Sequence, residues 1–391
     1  MTTNNTYPTR QALQQFDTPY YYYDTELLRQ TLAAIKAETT SHNNYFVHYA
    51  VKANANPKLL KIIKEAGFGI DCVSGGEIQA ALDAGFPAES IMFAGVGKAD
   101  WEIELGLDAG ICCFNIESVP EMEIINEIAV RKGKTANVCL RINPNVEAHT
   151  HANIMTGLSE NKFGIAMTDM IDVIKRIEQL EQIHFLGLHF HIGSQILKMD
   201  DFLRLCDRIN ELQDYLEENG YKAEIIDVGG GLGVDYDAPE ENPIPAFNAY
   251  FDVYRKNLKL REGQQLHFEL GRAVVAQCGS LITKVLFVKE NGNKKFVIVD
   301  AGMTELIRPA LYGAHHKIVN LTSTETAETY DVVGPICESS DVFDKDIPLA
   351  KTKRGDLIAI KTAGAYGETM ASCYNCRKLP NGYTTEDIMS V

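Results

Sequence analysis

The sequence predicts a (β/α)8 TIM-type barrel followed by a C-terminal all-β domain. Between residues 45 and 270, short apolar runs alternate with amphipathic segments and give eight strand candidates. After about residue 272 the helical periodicity fades and β-rich runs take over. A doubly wound sheet would favour a glycine-rich loop after its first strand, and no such loop follows residue 52.

The strand candidates are residues 45–52, 69–73, 91–94, 111–115, 137–142, 184–191, 224–228 and 266–269. Helical periodicity separates them over 58–66, 76–84, 120–131, 168–180 and 202–218. Two of the helix starts read as capping boxes, Ser74-Gly-Gly-Glu77 and Ser118-Val-Pro-Glu121. Residues 274–288, 295–299, 330–336 and 356–362 read as the strands of the β domain, with turns at Asn291-Gly292 and Arg354-Gly355-Asp356. The run Tyr20-Tyr21-Tyr22-Tyr23 precedes the barrel and is expected to add a strand to that domain. The expected organisation is therefore an N-terminal segment over 1–29 joining the β domain, a barrel over 30–272 and the β domain over 273–391.

Composition narrows the partners. With 391 residues, 45% hydrophobic and 23% charged, the chain has the make-up of an ordinary globular protein. A net charge of -16 argues against nucleic acid or an anionic membrane as a partner. Nine cysteines, scattered and odd in number, suit a reducing compartment better than a disulfide framework. Met1-Thr-Thr-Asn-Asn-Thr-Tyr-Pro8 has neither a basic nor an apolar targeting region, so a cytoplasmic protein is expected.

Lys52 ends the apolar run from Tyr45 and precedes the turn signal Asn54-Ala-Asn56-Pro57. Alternation puts His48, Ala50 and Lys52 on one face, where an amine at a barrel strand tip could form a Schiff base. Most strand-end lysines merely reach for water, so the neighbours decide. Gly229-Gly230-Gly231-Leu232-Gly233 follows the seventh strand, and Glu269-Leu270-Gly271-Arg272 ends the eighth. Loops at those two positions commonly bind phosphate through backbone N–H groups, although glycine there can also be merely permissive. Glu269 ends an apolar strand and needs a cationic partner, either a protonated ring nitrogen or Arg272.

His189 and His191 close the sixth strand at a spacing that metal ligands also use, so a metal-dependent barrel hydrolase is a competing reading. The preferred reading uses no metal: His191 lies against an aromatic ring, Ser194 is near phosphate, and His189 is an ordinary core histidine. In the β domain, Cys337-Glu338 offers a thiol suited to proton transfer beside a carboxylate, against the default of a structural cysteine. Cys373-Tyr-Asn-Cys376 is a lone CxxC and is not read as zinc. Arg308 and Tyr366 sit in apolar or glycine-rich settings.

Tyr49-Ala-Val-Lys52-Ala-Asn54, Ser74-Gly-Gly-Glu77, His189-Phe-His-Ile-Gly-Ser-Gln195, the glycine run, Glu269-x-Gly-Arg272, Arg308-Pro-Ala-Leu-Tyr312 and Cys337-Glu-Ser-Ser-Asp341 occur in this order. Together they resemble the fold-type III pyridoxal-phosphate decarboxylases, whose architecture is alanine racemase-like. The match runs from Thr18 to Tyr366.

The resemblance implies pyridoxal 5'-phosphate carried by Lys52, with His191 on the ring and Glu269 at the ring nitrogen. It places Ser194, Gly230, Gly231, Gly271, Arg272 and Tyr366 around the cofactor. Arg272, Arg308, Tyr312, Glu338 and Tyr366 would grip an amino-acid substrate. Cys337 would be the proton donor, supplied with Glu338 by the other subunit of a homodimer. The expected reaction is decarboxylation of meso-2,6-diaminopimelate to L-lysine and CO2, because Glu338 suits the amine and Arg308 the carboxylate at the far end of that substrate. Ornithine, arginine or carboxynorspermidine as substrate, or a non-catalytic regulator, are the alternatives. The sequence departs from the family at Leu270, where the usual motif reads Glu-Pro-Gly-Arg. Residues 150–163, polar and glycine-containing, are a candidate closing loop.

Overall fold

The computed structural model describes residues 7–146 and 162–390. These form two compact units, one of residues 32–233 and 246–271 and the other of residues 7–31, 234–245 and 272–390. The segment 234–245, which the sequence reading left inside the barrel, thus belongs with the β-rich unit. Nearly all of the expected closing loop, 150–161, lies outside the described residues. Among the described residues, no helix is long and apolar enough to cross a membrane.

The first unit is a closed parallel barrel. Its strands are Tyr45–Ala50, Gly69–Cys72, Ile91–Phe93, Cys113–Ile116, Ala136–Asn143, Ile183–His189, Ile225–Asp227 and Gln265–Leu270. Each pairs in parallel with the next, and the eighth pairs with the first, Leu266 opposite Tyr45 and Glu269 opposite His48. Helices Pro57–Glu65, Gly75–Asp83, Asp100–Ala109, Val119–Lys132, Met170–Ile177, Met199–Glu218 and Phe247–Asn257 follow the first seven strands. Both expected caps form: Ser74 Oγ accepts from the Glu77 N–H and Ser118 Oγ from the Glu121 N–H. The box glutamates reach one residue further back than a standard box, to the N–H groups of Val73 and Glu117, at 2.8 and 2.7 Å.

Two strand ends differ from expectation, and both bear on the site. The first strand stops at Ala50, and Val51–Ala53 turns into a short 3-10 helix. Its ladders close there, that to the eighth strand at Leu270–Tyr49 and that to the second at Ala50–Asp71, although the second strand itself runs on to Cys72. Lys52 therefore leaves from a turn rather than from the face shared by His48 and Ala50. The sixth strand likewise ends at His189, so His191 lies beyond it.

Alternation in the eighth strand fixes the direction of Glu269. Phe268 packs outward against Phe251, Tyr254 and Tyr250, with ring centroids 4.8, 5.2 and 5.9 Å away. Its neighbours His267 and Glu269 must then face inward, where His267 Nδ1 meets His48 Nε2 at 2.9 Å.

The second unit is built on an eight-stranded sheet. Its main path runs Ile318–Asn320, Leu357–Ile360, Gly279–Asn291, Lys294–Val299, Ala327–Val333 and Val342–Ala350. The long strand starts at Gly279 rather than at residue 274, because Arg272–Val275 forms one helical turn. Tyr20–Tyr23 joins this sheet as expected, antiparallel to Gly279–Ile282 and parallel to Asn381–Thr384.

Replacing Phe268 with alanine empties the contact that orients the eighth strand. The expected cost is about 3–5 kcal/mol of stability, measured as a lower urea midpoint at an unchanged slope. A loss below about 1 kcal/mol would show that the ring does not set the strand.

Candidate active site

Inward-facing polar groups gather at the C-terminal mouth of the barrel. Glu269, buried at 5% exposure, accepts from Asn115 Nδ2 at 3.3 Å through Oε1, and His189 Nε2 lies 3.2 Å from its Oε2. Burial by itself would raise the Glu269 pKa, but His189, Lys52 and His191 outweigh it and hold the carboxyl well below the usual range. Two more carboxyls share the mouth. Asp227, whose Oδ1 accepts from the Gly229 N–H at 2.8 Å, is pushed up by its burial and by the charge on Glu269. Asp71, fully buried, is pushed up to about 7 by burial and by Glu269, against the pull of Lys52. Lys52 Nζ stands 3.5 Å from Asp71 Oδ2.

His191 is pushed well below its ordinary pKa by burial and by the positive charges of Lys52 and Arg141, so its ring is neutral. Beside it the loops after strands six and seven run together. The Ile196 N–H donates to Gly231 O at 2.9 Å and the Gly233 N–H donates to Ile196 O at 2.9 Å. Ser194 sits on the first loop, between Gly193 and a Gln195 in the left-handed region at φ +58°. A Cβ on Gly230 would fall 1.8 Å from Glu269 O, so only glycine lets the loop lie against the eighth strand. Gly271 does the same on the other side, where a Cβ would crowd those of Ala53 and Ala50 at 3.1 and 3.2 Å, the residues that bracket Lys52.

In the second unit, the remaining expected residues form two groups. Arg272 Nη1 donates to the Tyr236 hydroxyl at 2.7 Å, and its guanidinium lies 4.9 Å over the Tyr366 ring. Arg308 lies 5.0 Å over the Tyr236 ring and bonds His316 Nε2 at 2.8 Å. Tyr312 ends the short helix that Arg308 begins. Tyr366 holds a left-handed φ of +57°, a strained state for a tyrosine. Cys337 and Glu338 occupy an exposed loop. There the Tyr374 hydroxyl donates to Glu338 Oε1 at 2.7 Å, and buried Asp341 ties down the loop by accepting from the N–H groups of Ile336 and Met303 at 2.7 and 2.6 Å.

A model of the pyridoxal-dependent decarboxylases, specifically their pyridoxal-binding domain, matches residues 27–276. The chain belongs to that family. It is 65% identical over 372 residues to the diaminopimelate decarboxylase of Bacteroides thetaiotaomicron, covering 95% of this chain and 96% of that one. The Neisseria meningitidis serogroup B diaminopimelate decarboxylase is 43% identical, with 95% and 88% covered. The Helicobacter pylori diaminopimelate decarboxylase crystallised with L-lysine superposes with a TM-score of 0.90 at 39% identity, covering 96% of this chain and 94% of that one. This membership sets aside the metal-dependent hydrolase reading of His189 and His191.

Pyridoxal phosphate is the cofactor of this decarboxylase family, and the barrel residues fit it. The mouth supplies an amine at Lys52, a buried carboxylate kept ionised at Glu269, and a neutral imidazole at His191. The loops at Gly230 and Gly271 expose backbone where side chains have no room. His189, Asp227 and Glu269 also bring one ligand atom each within 4.8 Å of one another, a grouping that could hold a cation.

Several of these groups were not singled out from the sequence. His189 is buried, as expected, but its Nε2 partner is Glu269, which brings it to the mouth, and its Nδ1 has no hydrogen-bond partner among the described residues. Asp71, Asp227, Tyr236 and His316 were passed over. Their shared signal is a polar residue near the end of an apolar run, and that signal is weak without its partner in view.

The raised Asp71 pKa sets a pH dependence. A carboxyl whose folded pKa lies above its unfolded value makes folding less favourable as pH rises from the ordinary 3.8 to about 7. The loss is at most about 1.4 kcal/mol per pH unit across that window. Asp71→Asn is therefore expected to raise the thermal midpoint of the cofactor-free protein more at pH 8 than at pH 5. Equal shifts at the two pH values would show that Asp71 ionises normally in the folded chain.

Proposed function

We propose that this chain decarboxylates meso-2,6-diaminopimelate at its D-configured α-carbon and releases L-lysine and CO2. The observation that carries the reading is the pairing in one barrel mouth of Lys52 with a Glu269 carboxylate held ionised despite full burial. Relatives of nearly equal length named for the diaminopimelate reaction supply the substrate class. Bound pyridoxal phosphate provides an electron sink for the charge left at the α-carbon when the carboxylate departs. Lys52 would hold it, Glu269 would face its protonated ring nitrogen, and the neutral His191 ring would lie on its face. Ser194, Gly230, Gly231 and Gly271 would receive the phosphate, with Arg272 and Tyr366 adding charge and a hydroxyl. Asp71, with a pKa near 7 and 3.5 Å from Lys52 Nζ, can take or return a proton at that amine.

Arg308 would bind the distal carboxylate of the substrate and Glu338 its distal amine, with Tyr312 and Tyr366 beside them. Tyr374 orients Glu338 through its 2.7 Å bond. Cys337 would protonate the α-carbon, and its place on an exposed loop suits delivery across a homodimer interface. The nine free thiols fit the cytoplasm.

Product analysis with meso-diaminopimelate, ornithine, arginine and carboxynorspermidine tests the substrate, and L-lysine from the first alone is the expected result. The loaded protein should be yellow and should bleach with borohydride. Lys52→Ala should abolish turnover while keeping the wild-type circular dichroism spectrum. Arg308→Ala should raise KM for diaminopimelate about 10- to 100-fold, and unchanged KM would sink the specificity argument. Mixing inactive Lys52→Ala with inactive Cys337→Ala should restore up to about a quarter of the wild-type rate if the site is shared between subunits.

A further inference from the structure

Arg308 is a buried guanidinium, 5% exposed, yet no carboxylate lies within ion-pair distance of it among the described residues. Neutral groups hold it instead. The Tyr236 ring lies under it at 5.0 Å, and His316 Nε2 meets its Nη1 at 2.8 Å. The other nitrogen of His316, Nδ1, is 3.0 Å from Lys361 O.

That chain of contacts fixes the imidazole. A carbonyl only accepts, so Nδ1 carries the proton. A guanidinium only donates, so Nε2 must present its lone pair to Arg308. His316 is therefore a neutral acceptor in one tautomer, buried at 1% exposure, with the Tyr236 ring edge-on at 5.1 Å. Burial and the neighbouring Arg308 charge push its pKa to about 3, so it stays neutral across the working range.

The choice of acceptor has a consequence. An aspartate or glutamate in this place would orient Arg308 equally well but would also neutralise it. A neutral imidazole occupies one N–H of the fork and leaves the positive charge uncompensated in a site where charge is poorly screened. We propose that His316 is a positioning and specificity residue: it aims Arg308 while sparing its charge for the distal carboxylate of a dicarboxylic amino-acid substrate. This rests on the reading that Arg308 binds that carboxylate. Tyr236 completes the device, because its hydroxyl accepts from Arg272 while its ring supports Arg308.

Three variants of the holoenzyme, assayed with meso-diaminopimelate, test it. His316→Leu removes the acceptor and should raise KM about tenfold or more with kcat within about threefold. His316→Gln restores a neutral acceptor and should recover most of that loss. His316→Glu keeps an acceptor but adds a charge, and should raise KM at least as much as His316→Leu. The last variant separates charge from geometry, since a merely structural role would leave it no worse than His316→Gln. A wild-type KM in His316→Glu, or no recovery in His316→Gln, would overturn the proposal. If His316→Leu fails to fold, the Gln and Glu pair still decides. Failure of the underlying reading shows separately, as wild-type enzyme without L-lysine production or as Arg308→Ala with unchanged KM.

Discussion

The active mouth of the barrel depends on keeping one buried carboxylate, Glu269, ionised. Burial opposes this, and three positive or polarisable neighbours reverse the outcome: His189 at 3.2 Å, then Lys52 and His191. The same charge sets the state of its neighbours. Asp71 and Asp227 are pushed the other way, in part by Glu269 itself. Three carboxyls of similar intrinsic strength thus divide into one strong acid and two weak ones. A mouth so divided can hold a positive ring nitrogen at one point and exchange a proton at another.

The β-rich unit solves the opposite problem. Among its buried charges are the guanidinium groups of Arg272 and Arg308, which meet aromatic faces, a phenol and an imidazole. Guanidinium tolerates such company because it is weakly hydrated and stacks on rings. The result is positive charge fixed in direction within a chain of net charge -16. Global acidity and a local positive field coexist because a buried field is set by its immediate neighbours rather than by the total.

The fold was legible because its signals are repeated. Eight alternations of period two and period 3.6 are redundant, so an error of two residues at 52 or 191 left the topology intact. Boundaries failed where tertiary pairing, not local preference, ends a strand. The first strand leaves its ladders at Leu270 and Asp71 as the chain turns into the 3-10 helix Val51–Ala53, which no local pattern around Lys52 reveals. The candidate residues at Lys52, Glu269 and the glycines stood out through motif and position. His316 and Tyr236 did not, because each matters through a partner 8 or 36 residues away, and His189 read only as a metal ligand or core histidine because its partner lies 80 residues on. Segment 234–245 illustrates the same limit: it lies between two barrel elements in sequence but supplies Tyr236 to the other unit.

Leu270 stands after Glu269 where the usual motif has proline. Proline would restrict φ at that point but would remove an N–H from the end of the eighth strand. Leu270 instead stays in the ladder opposite Tyr49 and is buried at 1% exposure. The next residue, Gly271, approaches Ala50 and Ala53 closely, which leaves the backbone little freedom. On the other side of Glu269, Phe268 is clamped by three aromatic rings of the helix outside the barrel. The carboxylate is therefore held from both flanks by packing. Glu269, Gly271 and Arg272 keep the spacing of the usual motif around Leu270.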